Sequence, residues 1–255
     1  MKFVGIIPAR YASTRFPGKP LAMLAGKTVI QRVYEQVKDC FDDLYVATDD
    51  QRIKECVESF GGNVVMTSEN CNNGTERCLD AYKRLNLDCD VIVNIQGDEP
   101  FIQQKQVKAL IACFDNPDTD IATLVKPFEK ADGIERLECP NSPKVVLNEQ
   151  GFALYFSRSV VPYLRGVEKE NWLDKHVFYK HLGIYAYRAN VLEKITQLPQ
   201  SPMEKAESLE QLRWLENGYK IKVGVTDIET IGIDTPEDLE RAKEFAASIG
   251  FAWND

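Results

Sequence analysis

Histidine is almost missing from this 255-residue chain. The only two, His176 and His181, stand five apart, a spacing that does not put both rings on one helical face, so a transition-metal site built on imidazole is not expected. The seven cysteines include no Cys-x-x-Cys pair and are odd in number, which argues against a disulfide framework or a zinc knuckle and predicts buried, reduced thiols. No apolar run approaches the roughly 20 residues of a membrane span. The opening MKFVGIIPARYA has an apolar stretch too short for a signal peptide, and the expectation is a cytoplasmic protein without membrane association. An excess of positive charge is lacking too: 31 Lys and Arg face 39 Asp and Glu, a net charge of -8, which speaks against nucleic acid as a partner. A polyanionic ligand must then be met by a local cluster of cations.

What is present is enough apolar residue, 44%, for a full core, read here as one domain over residues 1–255 with an excursion at about 155–200. Through the first 115 residues, short Val- and Ile-rich runs alternate with amphipathic stretches, the pattern of a buried parallel sheet with covering helices. The runs are Phe3 to Pro8, Leu44 to Thr48, Asn63 to Met66 and Asp90 to Ile95. Thr28 with Gln31 has capping-box spacing, Asp49 is placed to cap a helix from Gln51, and Gly61-Gly62 ends it. After Asn116-Pro117 the rhythm becomes that of a mixed sheet: DIATLVKPF and HLGIYAYR read as strands and KVVLNEQGFALYFSR as a hairpin. Residues 160 to 180 show no clear period and read as an excursion suited to a dimer contact or a lid. A helix is expected from Ser201 through to Gly218, then a strand over Ile221 to Val225 and a helix from Thr235-Pro236.

Three segments carry chemistry. IPARYASTRFPGKP follows the first strand and puts Arg10, Arg15 and Lys19 in one loop with Ser13, Thr14 and Gly18. In an open parallel sheet such a loop faces the ligand crevice, where guanidinium forks, an ammonium and backbone N–H groups form a polyphosphate cradle. A solvated basic turn is the other reading of the same string. It has neither the P-loop nor the G-x-G-x-x-G spacing, which argues against an ATPase or a dehydrogenase. VIVNIQGDEP runs from a buried strand into Gln96, a turn at Gly97, and Asp98. Asp234 in GIDTPEDL sits before a helix that Thr235 can cap, which leaves its carboxylate for another task. Two carboxylates at strand ends beside a cationic loop suit a magnesium-bound nucleotide. A glycosyltransferase on the same architecture would need a D-x-D pair at the sheet edge, whereas this chain has QGDEP. Finally, NNGTER puts Thr75 and Arg77 at a helix start, where Thr75 either caps the helix or faces a ligand.

These strings, together with VATDD, ALYFSRS, HLGIYAYR and LEQLRWLENG, resemble the 3-deoxy-manno-octulosonate cytidylyltransferase family nearly end to end. The resemblance implies a Rossmann-like, GT-A-type α/β nucleotidyltransferase fold with a mainly parallel mixed sheet, and a homodimer formed through an inserted dimerisation and sugar-binding region. It implies CTP and Kdo as substrates, CMP-Kdo and pyrophosphate as products, Mg²⁺ as cofactor, and a role in lipopolysaccharide biosynthesis. Carried over, Arg10, Ser13, Arg15 and Lys19 hold the phosphates, Thr75, Arg77 and Gln96 border the cytidine, and Asp98 and Asp234 ligate the metal; Arg10, Lys19 and Asp98 are the catalytic candidates. Arg158, His181, Tyr185, Glu210 and Gln211 match the sugar positions. Similar enzymes often read H-x-S-G-T-E-R where this chain has CNNGTER, with Cys71 and Asn73 in place of imidazole and hydroxyl.

Overall fold

The computed structural model describes residues 1–229, 231–249, 251 and 253. Strand β1 (Phe3–Ala9) leads through a 3-10 turn (Lys19–Leu21) to a short ribbon, β2 (Met23–Leu24) and β3 (Lys27–Thr28), and then helix α1 (Val29–Val37). Next come β4 (Asp43–Thr48), α2 (Gln51–Ser59), β5 (Val64–Met66), α3 (Gly74–Leu85), β6 (Val91–Asn94) and α4 (Gln104–Ala112). β7 (Ile121–Pro127), α5 (Gly133–Glu138), β8 (Lys144–Leu147), β9 (Ala153–Ser157), α6 (Trp172–Lys175) and β10 (Tyr179–Arg188) come after them. The chain continues with α7 (Ala189–Ile195), α8 (Pro202–Glu207), α9 (Gln211–Glu216), β11 (Ile221–Val225) and α10 (Pro236–Ile249). Parallel and antiparallel pairs both occur, so the fold is α/β with a mixed sheet and flanking helices.

The chain divides into two compact units. The first comprises Met1–Lys108, Arg188–Thr196 and the described residues from 231 on. Its strands run parallel in the order β6-β1-β4-β5. Val4, Ile6 and Ile7 of β1 and Val91, Ile92 and Val93 of β6 are fully buried, as strands covered by helices on both faces require. Because the strands are parallel, the segments after Ala9 and Asn94 leave the same end of this sheet.

Several helix starts follow local rules. Thr28 accepts from Gln31 N, and Ser201 with Glu204 forms a complete capping box with Pro202 in the first turn. Gln31 does not complete the box at Thr28; its amide donates to Glu35 instead. The cap of α2 is Asp50, not Asp49, since Asp50 accepts from Arg52 N.

The second unit comprises Ala109–Tyr187 and Gln197–Glu229. β11 runs parallel to β7, β7 antiparallel to β10, and the β8–β9 hairpin lies along β10. The helix expected from Ser201 to Gly218 is broken: α8 ends at Glu207, the next residue Ser208 is left-handed with φ 50°, and α9 starts at Gln211. Residues 160 to 180 are more ordered than their sequence suggests. α6 buries Trp172 in a small core with Phe128, Leu137 and Phe178, and Trp172 Nε1 donates to Val167 O. The seven cysteines are free, but only Cys78 and Cys113 are buried; the other five are partly exposed, which corrects the expectation.

Candidate active site

A cleft of about 350 Å³ opens in the first unit beyond the ends of β1 and β6. Arg10, Ser13, Arg15, Lys19, Arg77, Gln96, Asp98 and Asp234 all line it, along with Cys71, Asn72 and Asn73. The cationic loop has a built neck. Gly18 N donates to Tyr11 O at 2.9 Å, and Gly18 adopts φ 74°, a conformation open to glycine at little steric cost. Outside the neck, the Arg52 guanidinium stands 3.3 Å from the Tyr11 ring centroid and is held in a fork by Asp50.

The two carboxylate segments are clipped to each other. Ile233 N donates to Asp98 O at 2.9 Å. Gly97 is not needed for a left-handed turn. A Cβ there would lie 2.7 Å from the Pro8 carbonyl oxygen, so glycine permits the close approach of this loop to the end of β1. The cap of α10 is made by Thr235 Oγ1, which accepts from Asp238 N, while the Asp238 carboxylate accepts from Asp234 N and Thr235 N. The Asp234 side chain is left out of the cap.

Asp234 instead faces the cations. Lys19 Nζ donates to Asp98 Oδ2 at 2.6 Å and to Asp234 Oδ1 at 3.1 Å, and Arg15 Nη2 lies 3.1 Å from Asp234 Oδ2. Two carboxylates 136 positions apart thus converge on one positively charged atom. Among the described residues no three or more His, Cys, Asp or Glu form a metal cluster. Two carboxylates beside a cleft suit a hard divalent ion that completes its shell with phosphate oxygens and water.

Arg77 lines the cleft although it is only 3% exposed, and its guanidinium is gripped by Asp49 Oδ2 and Thr67 Oγ1, each at 2.6 Å. This is the task of Asp49 that its reading as a cap overlooked. Thr75 neither caps α3 nor lines the cleft: Asn73 caps the helix by accepting from Glu76 N, and Thr75 is buried.

Arg158, His181, Tyr185, Glu210 and Gln211 all lie in the second unit. β10 bulges between Leu182 and Tyr185, and the His181 and Tyr185 rings stand 5.4 Å apart. Thr123 Oγ1 donates to Ile184 O at 2.7 Å, which leaves its lone pairs for His181 Nε2 at 3.0 Å. The neutral ring therefore carries its hydrogen on Nε2. Burial pushes the His181 pKa down to about 3, so the imidazole is uncharged at neutral pH. The Arg158 guanidinium is spread over three backbone carbonyls, of Glu207, Pro140 and Ser208. Glu210 pairs with Arg213 at 2.5 Å, and the buried Gln211 Nε2 has no hydrogen-bond partner among the described residues.

Asp98 follows β6 closely, but Asp234 stands just before α10 rather than at a strand end. An α/β fold whose cationic loop meets two such carboxylates in one cleft is the arrangement of a nucleotidyltransferase. The model of the family described as Cytidylyltransferase matches residues 4–221. A 3-deoxy-manno-octulosonate cytidylyltransferase of Phocaeicola vulgatus is 65% identical over 245 residues, 96% of this chain and 97% of that protein. One from Bacteroides thetaiotaomicron is 66% identical over 96% of this chain and 98% of its own length. The solved structure of a CMP:2-keto-3-deoxy-manno-octonic acid synthetase complexed with CTP matches with a TM-score of 0.88 at 40% identity, covering 98% of this chain and 100% of that one. The chain belongs to the cytidylyltransferase family, in its 3-deoxy-manno-octulosonate cytidylyltransferase branch. No helix among the described residues is long and apolar enough to cross a membrane.

Proposed function

We propose that this chain couples CTP to 3-deoxy-D-manno-octulosonate (Kdo), giving CMP-Kdo and pyrophosphate, and thereby activates Kdo for lipopolysaccharide biosynthesis in the cytoplasm. The observation that carries the reading is the meeting of Lys19, Asp98 and Asp234 inside the cleft. Arg10, Ser13, Arg15 and Lys19 bind the triphosphate, and Gln96 and Arg77 border the cytidine; Thr75, buried and off the cleft lining, is not assigned to it. Asp98 and Asp234 hold Mg²⁺, which when bound supplies Lewis-acid charge at the α-phosphate. The anomeric hydroxyl of Kdo attacks the α-phosphorus in line and pyrophosphate leaves opposite, a reaction that asks the protein mainly for positioning and charge stabilisation. Arg10 and Lys19 neutralise the charge that builds on pyrophosphate.

For the sugar we assign Arg158, His181, Tyr185, Glu210 and Gln211. The neutral state of His181 suits a hydroxyl better than a carboxylate, and Gln211 Nε2, without a partner among the described residues, is a donor in need of an acceptor. We assign the homodimer contact to the inserted region. The test is pyrophosphate release with each of four nucleotides against Kdo, its amino analogue and sialic acid, with and without Mg²⁺. Release confined to CTP, Kdo and metal is the expected result. Asp98→Asn is expected to lower turnover by about a hundredfold or more; near-normal turnover in a folded Asp98→Asn protein would overturn the metal assignment.

A further inference from the structure

Lys19 occupies a contradictory place. As a phosphate ligand it should meet the triphosphate, yet its ammonium bonds both carboxylates that are to hold the divalent ion. The side chain is only 14% exposed, and Arg15 covers the other oxygen of Asp234. A dication at the same carboxylates would be repelled by an ammonium in that position. The lysine stem is flexible enough to turn its charge toward phosphate oxygens once these are present.

We propose that Lys19 is an internal cation that guards the Asp98–Asp234 metal site, so that divalent metal binds weakly until a triphosphate offers Lys19 another anion. The inference rests on the cytidylyltransferase reading above. It makes nucleotide and metal binding positively coupled, and linkage requires the coupling to be reciprocal. Arg15 reinforces the guard from the side of Asp234. The arrangement keeps the carboxylates compensated in the nucleotide-free protein and releases them when substrate arrives.

The consequence has opposite signs for the two ligands. Lys19→Met should weaken metal-free CTP binding, because a phosphate contact is lost, and strengthen nucleotide-free metal binding, because the competitor is gone. The experiment titrates the nucleotide-free protein with Mn²⁺, reading the free ion by electron paramagnetic resonance, and measures CTP binding in EDTA by calorimetry. Lys19→Met is expected to bind Mn²⁺ about fivefold tighter or more, within the usual span of coupling between sites. Lys19→Gln, a polar replacement, should show the same gain and serves if the Met variant folds poorly. Adding Asp98→Asn should abolish the gain. Arg10→Met removes an equal charge from the same cleft without touching either carboxylate and should give a smaller gain; an equal gain would mean general electrostatics and overturn the proposal. Unchanged or weaker Mn²⁺ binding in both Lys19 variants, with Asp98→Asn alone weakening it, would also overturn the guard while leaving the metal site intact. If Asp98→Asn has no effect on Mn²⁺ in any background, the metal assignment itself fails and the guard with it.

Discussion

Replacing His181 by glutamine tests whether one buried, neutral imidazole sets the acid sensitivity of the fold. The ring is 8% exposed, edge-on to Phe156 at 5.0 Å and close to Tyr185 at 5.4 Å, with Thr123 as its hydrogen-bond partner. Its folded pKa, pushed down to about 3, lies far below the ordinary value of 6.5. Below pH 6.5 the unfolded chain therefore binds a proton that the folded chain refuses. Stability is complete above that pH and is lost as pH falls from 6.5 toward 3, at up to about 1.4 kcal/mol per pH unit. By pH 5 the loss from this group is about 2 kcal/mol, a figure that hardly depends on the folded pKa as long as it stays well below 5. For a chain of this length that is about 4–8 °C in melting temperature. Glutamine can keep the donor to Thr123 and does not titrate. Melting of both proteins by circular dichroism at pH 7.5 and pH 5 should show the unsubstituted chain losing about 2 kcal/mol more than His181→Gln. Parallel losses would refute the assignment of a neutral buried ring.

Asp49→Ala strands the buried Arg77 guanidinium and should destabilise the fold by about 3 kcal/mol, with Asp49→Ala/Arg77→Leu recovering part of the loss in urea unfolding. A double variant no more stable than Asp49→Ala would show that the pair is not the cause. Gly97→Ala pushes a methyl group against the Pro8 carbonyl and moves Asp98, so kcat/KM should fall by about a hundredfold with little change in circular dichroism. Phe101, 3% exposed and edge-on to Phe245 and Phe251 at 5.1 Å, belongs to the cluster that includes Ile233 beside Asp234. Phe101→Ala should lower stability by about 3–5 kcal/mol, measured by denaturant midpoint.

Local order in the chain already determined much of this protein. Apolar runs marked β1, β4, β6, β7, β10 and β11 to within about two residues, most sharply at β1 and β6, because a strand buried on both faces can hardly be written otherwise. The caps at Thr28, Ser201 and Thr235 were legible for a similar reason: each bond spans three residues. The ordered set of motifs was enough to point to the family. Neighbouring acids were a different matter, since Asp49 and Asp50 look alike in sequence and only the arrival of Arg77 from α3 separates a buried partner from a helix cap. The break at Ser208 lies inside a run with helical spacing and carries no glycine or proline to announce it. The neutral state of His181 follows from burial beneath other strands and helices, which composition does not report.

What the sequence by itself determined, then, were strands, caps and family membership, all governed by contacts a few residues long or by the order of whole motifs. Only the tertiary structure decided that Lys19 meets carboxylates 79 and 215 residues away, because such meetings depend on which distant segments the fold brings to one cleft, Asp98 after β6 and Asp234 before α10, clipped together by the bond from Ile233 N to Asp98 O.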